Sequence, residues 1–233
     1  MLYDLVIAIS LERRKDRRER LESHLKERGF ENIYYLPAFD GAKITPNVVS
    51  VVPPVRPYFS FSDEITGQRT NKLNRFQVGC TLSHIAALKF AQTLGADRAL
   101  IVEDDVEFNE DIQDILRETE NETHFLDWEM IYLGGAIRNW AQQKTTNVTD
   151  HLVKPGFTDG LQAYIVQSTG FNKLSNGMLS FKTTNDDAVN DLMFREKDPL
   201  RAYMRKPKCA FQIADFSELQ RGFIDRQDLR REE

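Results

Sequence analysis

Cysteine is scarce: only Cys80 and Cys209 occur in 233 residues. Far apart in the chain, they supply neither a disulfide framework nor the paired spacing of a zinc site, so a reducing compartment is expected. Long apolar runs are missing too, and no transmembrane segment is expected. No basic leader precedes an apolar stretch; Leu2 to Ile9 reads directly as a strand and runs into Arg13, Arg14 and Lys15. Asn121-Glu-Thr and Asn147-Val-Thr match the glycosylation acceptor pattern, but without a secretory signal they read as chance matches. Excess positive charge is also lacking. The formal net charge of -5 argues against bulk attraction to nucleic acid. These absences together lead us to expect a cytoplasmic protein, of a bacterial or virus-infected host cell.

What is present is an ordinary globular composition, 41% hydrophobic and 29% charged, without repeats or low-complexity segments. A chain of this size suits one core. Tyr3 to Ile9 is expected as a buried strand, followed by a helix over Leu11 to Arg28 that stops at Gly29. Ile33 to Pro37 is a second strand, and Asp40-Gly41 marks a turn at its end. Lys43 to Arg75, with Pro53, Pro54 and Pro57, reads as an extended excursion. Beyond it, Gly79 to Leu94 is expected as a helix, Ala99 to Val102 and Met130 to Leu133 as strands, and Gln162 to Gln167 as another. Gly170 to Leu179 and Asp187 to Phe194 are expected as helices, and Arg221 to Glu233 as a charged tail. This alternation implies an α/β fold.

The most informative stretch is Ala99-Leu-Ile-Val-Glu-Asp-Asp105, in which an apolar strand delivers three consecutive carboxylates. Burying them unpaired would be prohibitive. Ligands of open α/β sheets bind beyond the carboxyl ends of the strands, and a hard divalent cation that clamps a diphosphate suits such acids. In extended geometry Glu103 and Asp105 would share a face, with Asp104 opposite. The plainer alternative is a solvated acidic turn. A phosphorylated receiver domain fits less well, because the next strand ends in Leu133-Gly-Gly135 without an acid.

Four ordered blocks carry a resemblance: Ile7-Ala-Ile-Ser-Leu-Glu-Arg-Arg-Lys-Asp-Arg17, Ala38-Phe-Asp-Gly41, Val78-Gly-Cys-Thr-Leu-Ser-His84 and Leu100-Ile-Val-Glu-Asp-Asp105. They resemble glycosyltransferase family 25, which contains lipooligosaccharide and procollagen galactosyltransferases. The resemblance continues more weakly through Asp127 to Gly134, Ala163 to Val166, Asn185 to Asp187 and Ser217 to Gln220. Two positions depart from the usual pattern: Ile-Ser-Leu stands for Ile-Asn-Leu at the first strand's end, and Ser217-Glu for Ser-Asp.

The resemblance implies a single GT-A-like domain over residues 1–220, a Rossmann-type mixed sheet flanked by helices, with a UDP-sugar donor, manganese or magnesium, and inversion at the anomeric carbon. By the same resemblance Ser10, Leu11, Arg13 and Arg17 would lie near the uridine and phosphates, and Asp40 near the base or ribose. Asp105, with Asp104 or Glu103 assisting, would hold the metal, and Asp215 or Glu218 would complete the metal or acceptor site. Asp186 and Asp187 are the candidates for general base. Helix capping by Asn185 or Asp186 is the plainer role for one of that region's acids. Ser83 and His84 are placed on a helix from which they would reach a phosphate or donor sugar, unless His84 merely satisfies a buried carbonyl. Cys80 reads as core. Gly134 and Gly135 would admit acceptor or sugar, or simply turn the chain.

The expected reaction moves galactose or glucose from UDP-galactose or UDP-glucose to a glycan or to hydroxylysine of a collagen-like protein. The competing readings are a hydrolase using the same carboxylates and an inactive sugar-binding module. The sequence is also compatible with a homo-oligomer.

Overall fold

The structure, a computed structural model, describes residues 1–45, 47, 61–62, 69–70, 73–137, 145–213, 215–217 and 222–224. Most of the Lys43 to Arg75 excursion and of the tail, the 220/221 domain boundary and Glu218 lie outside them, as does the side chain of Asp215.

Strands buried on both faces need helices on both sides of their sheet. Leu5–Ser10 (β1) meets that condition, every residue being buried. Ile33–Pro37 (β2) lies on one side of it and Arg98–Glu103 (β3) on the other, both parallel to it. Val106–Phe108 (β4), Met130–Tyr132 (β5) and Ala136–Ile137 (β6) follow, then Thr146–Asn147 (β7), Leu152–Lys154 (β8) and Thr158–Asp159 (β9). Ala163–Gln167 (β10), Ala202–Arg205 (β11) and Ala210–Gln212 (β12) complete the set discussed below. The central sheet has eight strands in the order β2-β1-β3-β10-β5-β11-β8-β7. It is mixed, since β10 runs antiparallel to both β3 and β5.

The period-2 alternation sorts the strand residues into two layers. Ile7, Ile9, Ile101, Tyr132 and Tyr164 face one core, beneath helices Arg75–Thr93 (α2), Ser168–Met178 (α4) and Asn185–Phe194 (α5). Val6, Ala8, Leu100, Val102 and Ile131 face the other, with Lys15–Glu27 (α1) and Ile112–Thr123 (α3). The expected mixed sheet flanked by helices is therefore what the chain forms.

Some boundaries differ from expectation. The helix expected from Gly79 starts at Arg75, because Asn74 and Gln77 form a reciprocal capping box. That expected from Leu11 starts at Lys15, after a turn in which Arg14 N–H donates to the Leu11 carbonyl. The amphipathic helix α3 was not anticipated. No helix among the described residues is long and apolar enough to cross a membrane.

Registry places the site. Ile9 is level with Glu103, and Ser10 with Pro37, so the carboxyl ends of β1, β2 and β3 open on one edge. Ala163, at the start of antiparallel β10, arrives at that edge beside Val102.

Candidate active site

A cleft of about 140 Å³ opens at this edge, lined by Ser10, Leu11, Arg13, Arg17, Asp40, Ser83, His84, Glu103, Asp104 and Asp105. The residues singled out across the first hundred positions thus meet in one place. Phe39, Phe76, Cys80 and Gln212 line it as well.

The three acids after Val102 do not keep strand alternation. The strand ends at Glu103 and the chain turns through Asp104 and Asp105 into β4, so each carboxylate faces a different element. Asp104 turns to the first strand and helix. Its Oδ2 accepts from Ser10 Oγ at 2.8 Å and its Oδ1 from Arg17 at 3.1 Å, and its carbonyl accepts from Arg20 at 2.6 Å. Burial pushes the Asp104 carboxyl up, against the pull of Arg17 and Ser10. Arg17, expected near the donor, is itself buried and holds these acids.

Glu103 turns to α2, where its Oε1 lies 2.9 Å from His84 Nε2, while His84 Nδ1 lies 2.9 Å from Tyr164 Oη. His84 thus binds side chains rather than a buried carbonyl. Asp105 turns to β12. Its Oδ2 accepts from Gln212 at 2.8 Å and has Arg17 at 3.9 Å, but its buried Oδ1 has no hydrogen-bond partner among the described residues. Burial, then the charge of Glu103, pushes its carboxyl up to about 7.

On the opposite wall the loop after β2 lies directly on α2. A Cβ at Gly79 would sit 2.5 Å from the Phe39 carbonyl oxygen, and one at Gly41 would sit 2.6 Å from Phe76 Cα, so only glycine permits this approach. Ser83 Oγ donates to the Gly79 carbonyl and accepts from Phe39 N–H at 2.8 Å, which makes it a fastener of the loop. Asp40 accepts from Ala42 N–H, capping the short helix Gly41–Lys43, and from Arg13 at 2.9 Å. Burial raises its pKa, but these two donors outweigh that and leave it low. Phe39, 48% exposed, lines both the cleft and an adjoining hollow shared with Lys43 and Ile44.

The cap of α5 is Thr184, not Asn185 or Asp186: its hydroxyl accepts from Asp187 N–H and donates to the Asp187 carboxylate. Asp186 does not line the cleft, but it lies close enough to Glu103 and His84 for their charges to act on it. Burial, then Asp159 and Glu103, push it up to about 7, with a hydrogen bond from Gly160 N–H opposing. At Gly134 the space a Cβ would need is filled by the Ala210 carbonyl, 2.4 Å away, so this glycine makes room for the chain itself rather than for a sugar. Cys80 is not core: it is half-buried in the cleft wall. Gln212 and Tyr164 carried no signal in sequence, since their partners lie 107 and 80 positions away. In sequence Phe39 stands out only as a member of the Ala38–Gly41 block.

Fold and cleft define an α/β protein with an acid-rich, arginine-flanked pocket at the carboxyl edge of its sheet. The model of glycosyltransferase family 25 (LPS biosynthesis protein) matches residues 4–189, and the chain belongs to that family. It is 31% identical over 181 residues to the probable inactive glycosyltransferase 25 family member 3 of Bos taurus, an alignment covering 75% of this chain and 29% of that protein. To procollagen galactosyltransferase 2 of Homo sapiens it is 27% identical over 211 residues, covering 87% and 32%. The chain thus spans about a third of the length of these relatives. Among solved structures, a glycosyltransferase involved in glycosylation of the major capsid of PBCV-1 is similar with a TM-score of 0.44 and 11% identity, covering 93% of this chain and 95% of that one.

Proposed function

We propose that the chain is a metal-dependent inverting hexosyltransferase that moves galactose or glucose from a UDP-sugar to a hydroxyl of a glycan or of hydroxylysine. The carrying observation is the orphaned, buried Oδ1 of Asp105 in a cleft flanked by arginines. A buried carboxylate oxygen without a donor is costly, and a cation relieves that cost. The hard oxygen donors fit manganese or magnesium, with Asp105 as holder and Glu103 and Asp104 beside it. Such an ion, when bound, neutralises charge on a departing diphosphate.

The remaining work falls to the protein's own groups. Arg13, held by Asp40, adds positive charge at the phosphate end, and Arg17 keeps Asp104 in place. The Phe39 ring offers a stacking face for the uracil. Asp186 takes the proton of the acceptor hydroxyl; a carboxyl near 7 is well matched to that task at neutral pH. Gly160 N–H orients it.

The test is UDP release from UDP-galactose or UDP-glucose with manganese, with and without EDTA, across an acceptor panel. Release that needs both metal and acceptor is expected. Acceptor-independent release would make the protein a hydrolase. UDP binding without release would make it an inactive binding module.

A further inference from the structure

Cys80 and His84 stand one turn apart on α2, with Glu103 opposite them at the end of β3. One ligand atom from each lies within 4.8 Å of the other two. A tetrahedral zinc ion, with bonds of about 2.0–2.3 Å, separates its ligand atoms by about 3.3–3.6 Å, so the triad closes on one once its longest separation shortens by up to about 1.5 Å. We infer that Cys80, His84 and Glu103 form a site for a soft, zinc-class cation, next to the hard-cation position at Asp105 and sharing Glu103 with it.

Four features make this a built site. Its ligands come from a helix and a strand end, which hold geometry better than loops do. The outer nitrogen of the imidazole, Nδ1, already faces Tyr164 Oη at 2.9 Å, the kind of contact that fixes a ligating histidine. Asn185 Nδ2 donates to the Cys80 sulfur at 3.5 Å and orients it. All three ligands line the cleft, which leaves a coordination position open to solvent or ligand. Thiolate and imidazole select zinc or cobalt over magnesium or manganese, so the two positions sort cations by softness. As the sulfur–metal bond forms, the thiol proton leaves to the buffer. A zinc-class ion here occupies Glu103 and His84 and opposes manganese-driven chemistry next door.

The experiment reads metal binding alone, so its outcome is independent of the transferase reading. The full chain, stripped with EDTA, is titrated with cobalt(II). A thiolate-to-cobalt charge-transfer band at one equivalent, displaced by zinc and insensitive to magnesium, is expected. Cys80→Ser should lose the band and at least about tenfold in cobalt affinity, whereas Asp105→Asn keeps both. No band in the unaltered protein, or a band that survives Cys80→Ser, overturns the site. Should Cys80→Ser fail to fold, alkylation of the unaltered protein decides, read peptide by peptide with buried Cys209 as internal reference. Zinc must slow Cys80 alkylation at least about tenfold where magnesium does not; an unchanged rate overturns the proposal.

Discussion

Glu129 and Asp105 are both buried carboxylates at strand ends, on opposite edges of the same sheet, and they are treated in opposite ways. Glu129, 3% exposed, accepts from Lys173 at 2.8 Å, from Arg201 N–H at 3.0 Å and lies 3.3 Å from the Arg201 guanidinium. Asp105, 12% exposed, has one amide donor, a guanidinium at 3.9 Å, and an oxygen that nothing among the described residues satisfies. A carboxylate buried for structure is surrounded by donors until its charge is neutralised. One left incomplete, beside Glu103 and Asp104, stores unfavourable energy that only a ligand removes, and such sites are where function resides.

The contrast breaks most sharply by substitution. Asp105→Asn should lower kcat/KM for transfer by about 10²–10³-fold, the magnitude for losing one preorganised electrostatic contact, while melting no lower than the unaltered protein. A variant that keeps full activity, or that melts well below it, would make Asp105 a second Glu129. Glu129→Gln should do the reverse. It strips the charge that Lys173 and Arg201 were placed to meet and costs about 3 kcal/mol, seen as a lower denaturant midpoint with an unchanged slope. Its transfer rate at 25 °C should be unaltered. A neutral result there would show that the ion cluster at Glu129 is surface decoration.

How much of this was open to reading in the sequence follows from where each partner lies. The apolar run ending in Glu103-Asp104-Asp105 announced a sheet edge that carries acids. Which of Arg13 and Arg17 turns inward could not be chosen, because the choice rests on Asp104, 87 positions away from Arg17. The same distance problem hid Gln212 from Asp105. The Asn74–Gln77 capping box was local and readable, yet it was submerged in a proline-rich excursion with no period to anchor it. Helix α3 was missed for a different reason: its buried face consists of Ile112, Leu116, Thr119 and Thr123, half of it threonine, which weakens the apolar signal. Between Asp186 and Asp187, sequence had no basis for preference; the hydroxyl of Thr184 engages Asp187, while Asp186 lies near enough to Glu103 to feel its charge.

The smallest expected effect is the most diagnostic, because it reads the incomplete carboxylate without any substrate. The folded-state pKa of Asp105, about 7, lies above its ordinary value of 3.8, so the native protein holds a proton that the unfolded chain releases. Its stabilising contribution is therefore fully present below pH 3.8 and is lost as pH rises through about 7. Between pH 5.5 and 8 the metal-free protein should lose about 2 kcal/mol on this account. Asp186 is raised in the same direction and adds to the trend, and the two share Glu103 as a neighbour, so their losses do not simply sum. Asp105→Asn should flatten the curve and stabilise the protein at pH 8 relative to the unaltered chain. Manganese should do the same without mutation, raising the melting temperature more at pH 8 than at pH 5.5, because it binds the deprotonated carboxylate. A metal-free melting temperature that is level or rising across this window, with Asp105→Asn superimposed on it, would mean that Asp105 is already satisfied and that the two edges of the sheet do not differ.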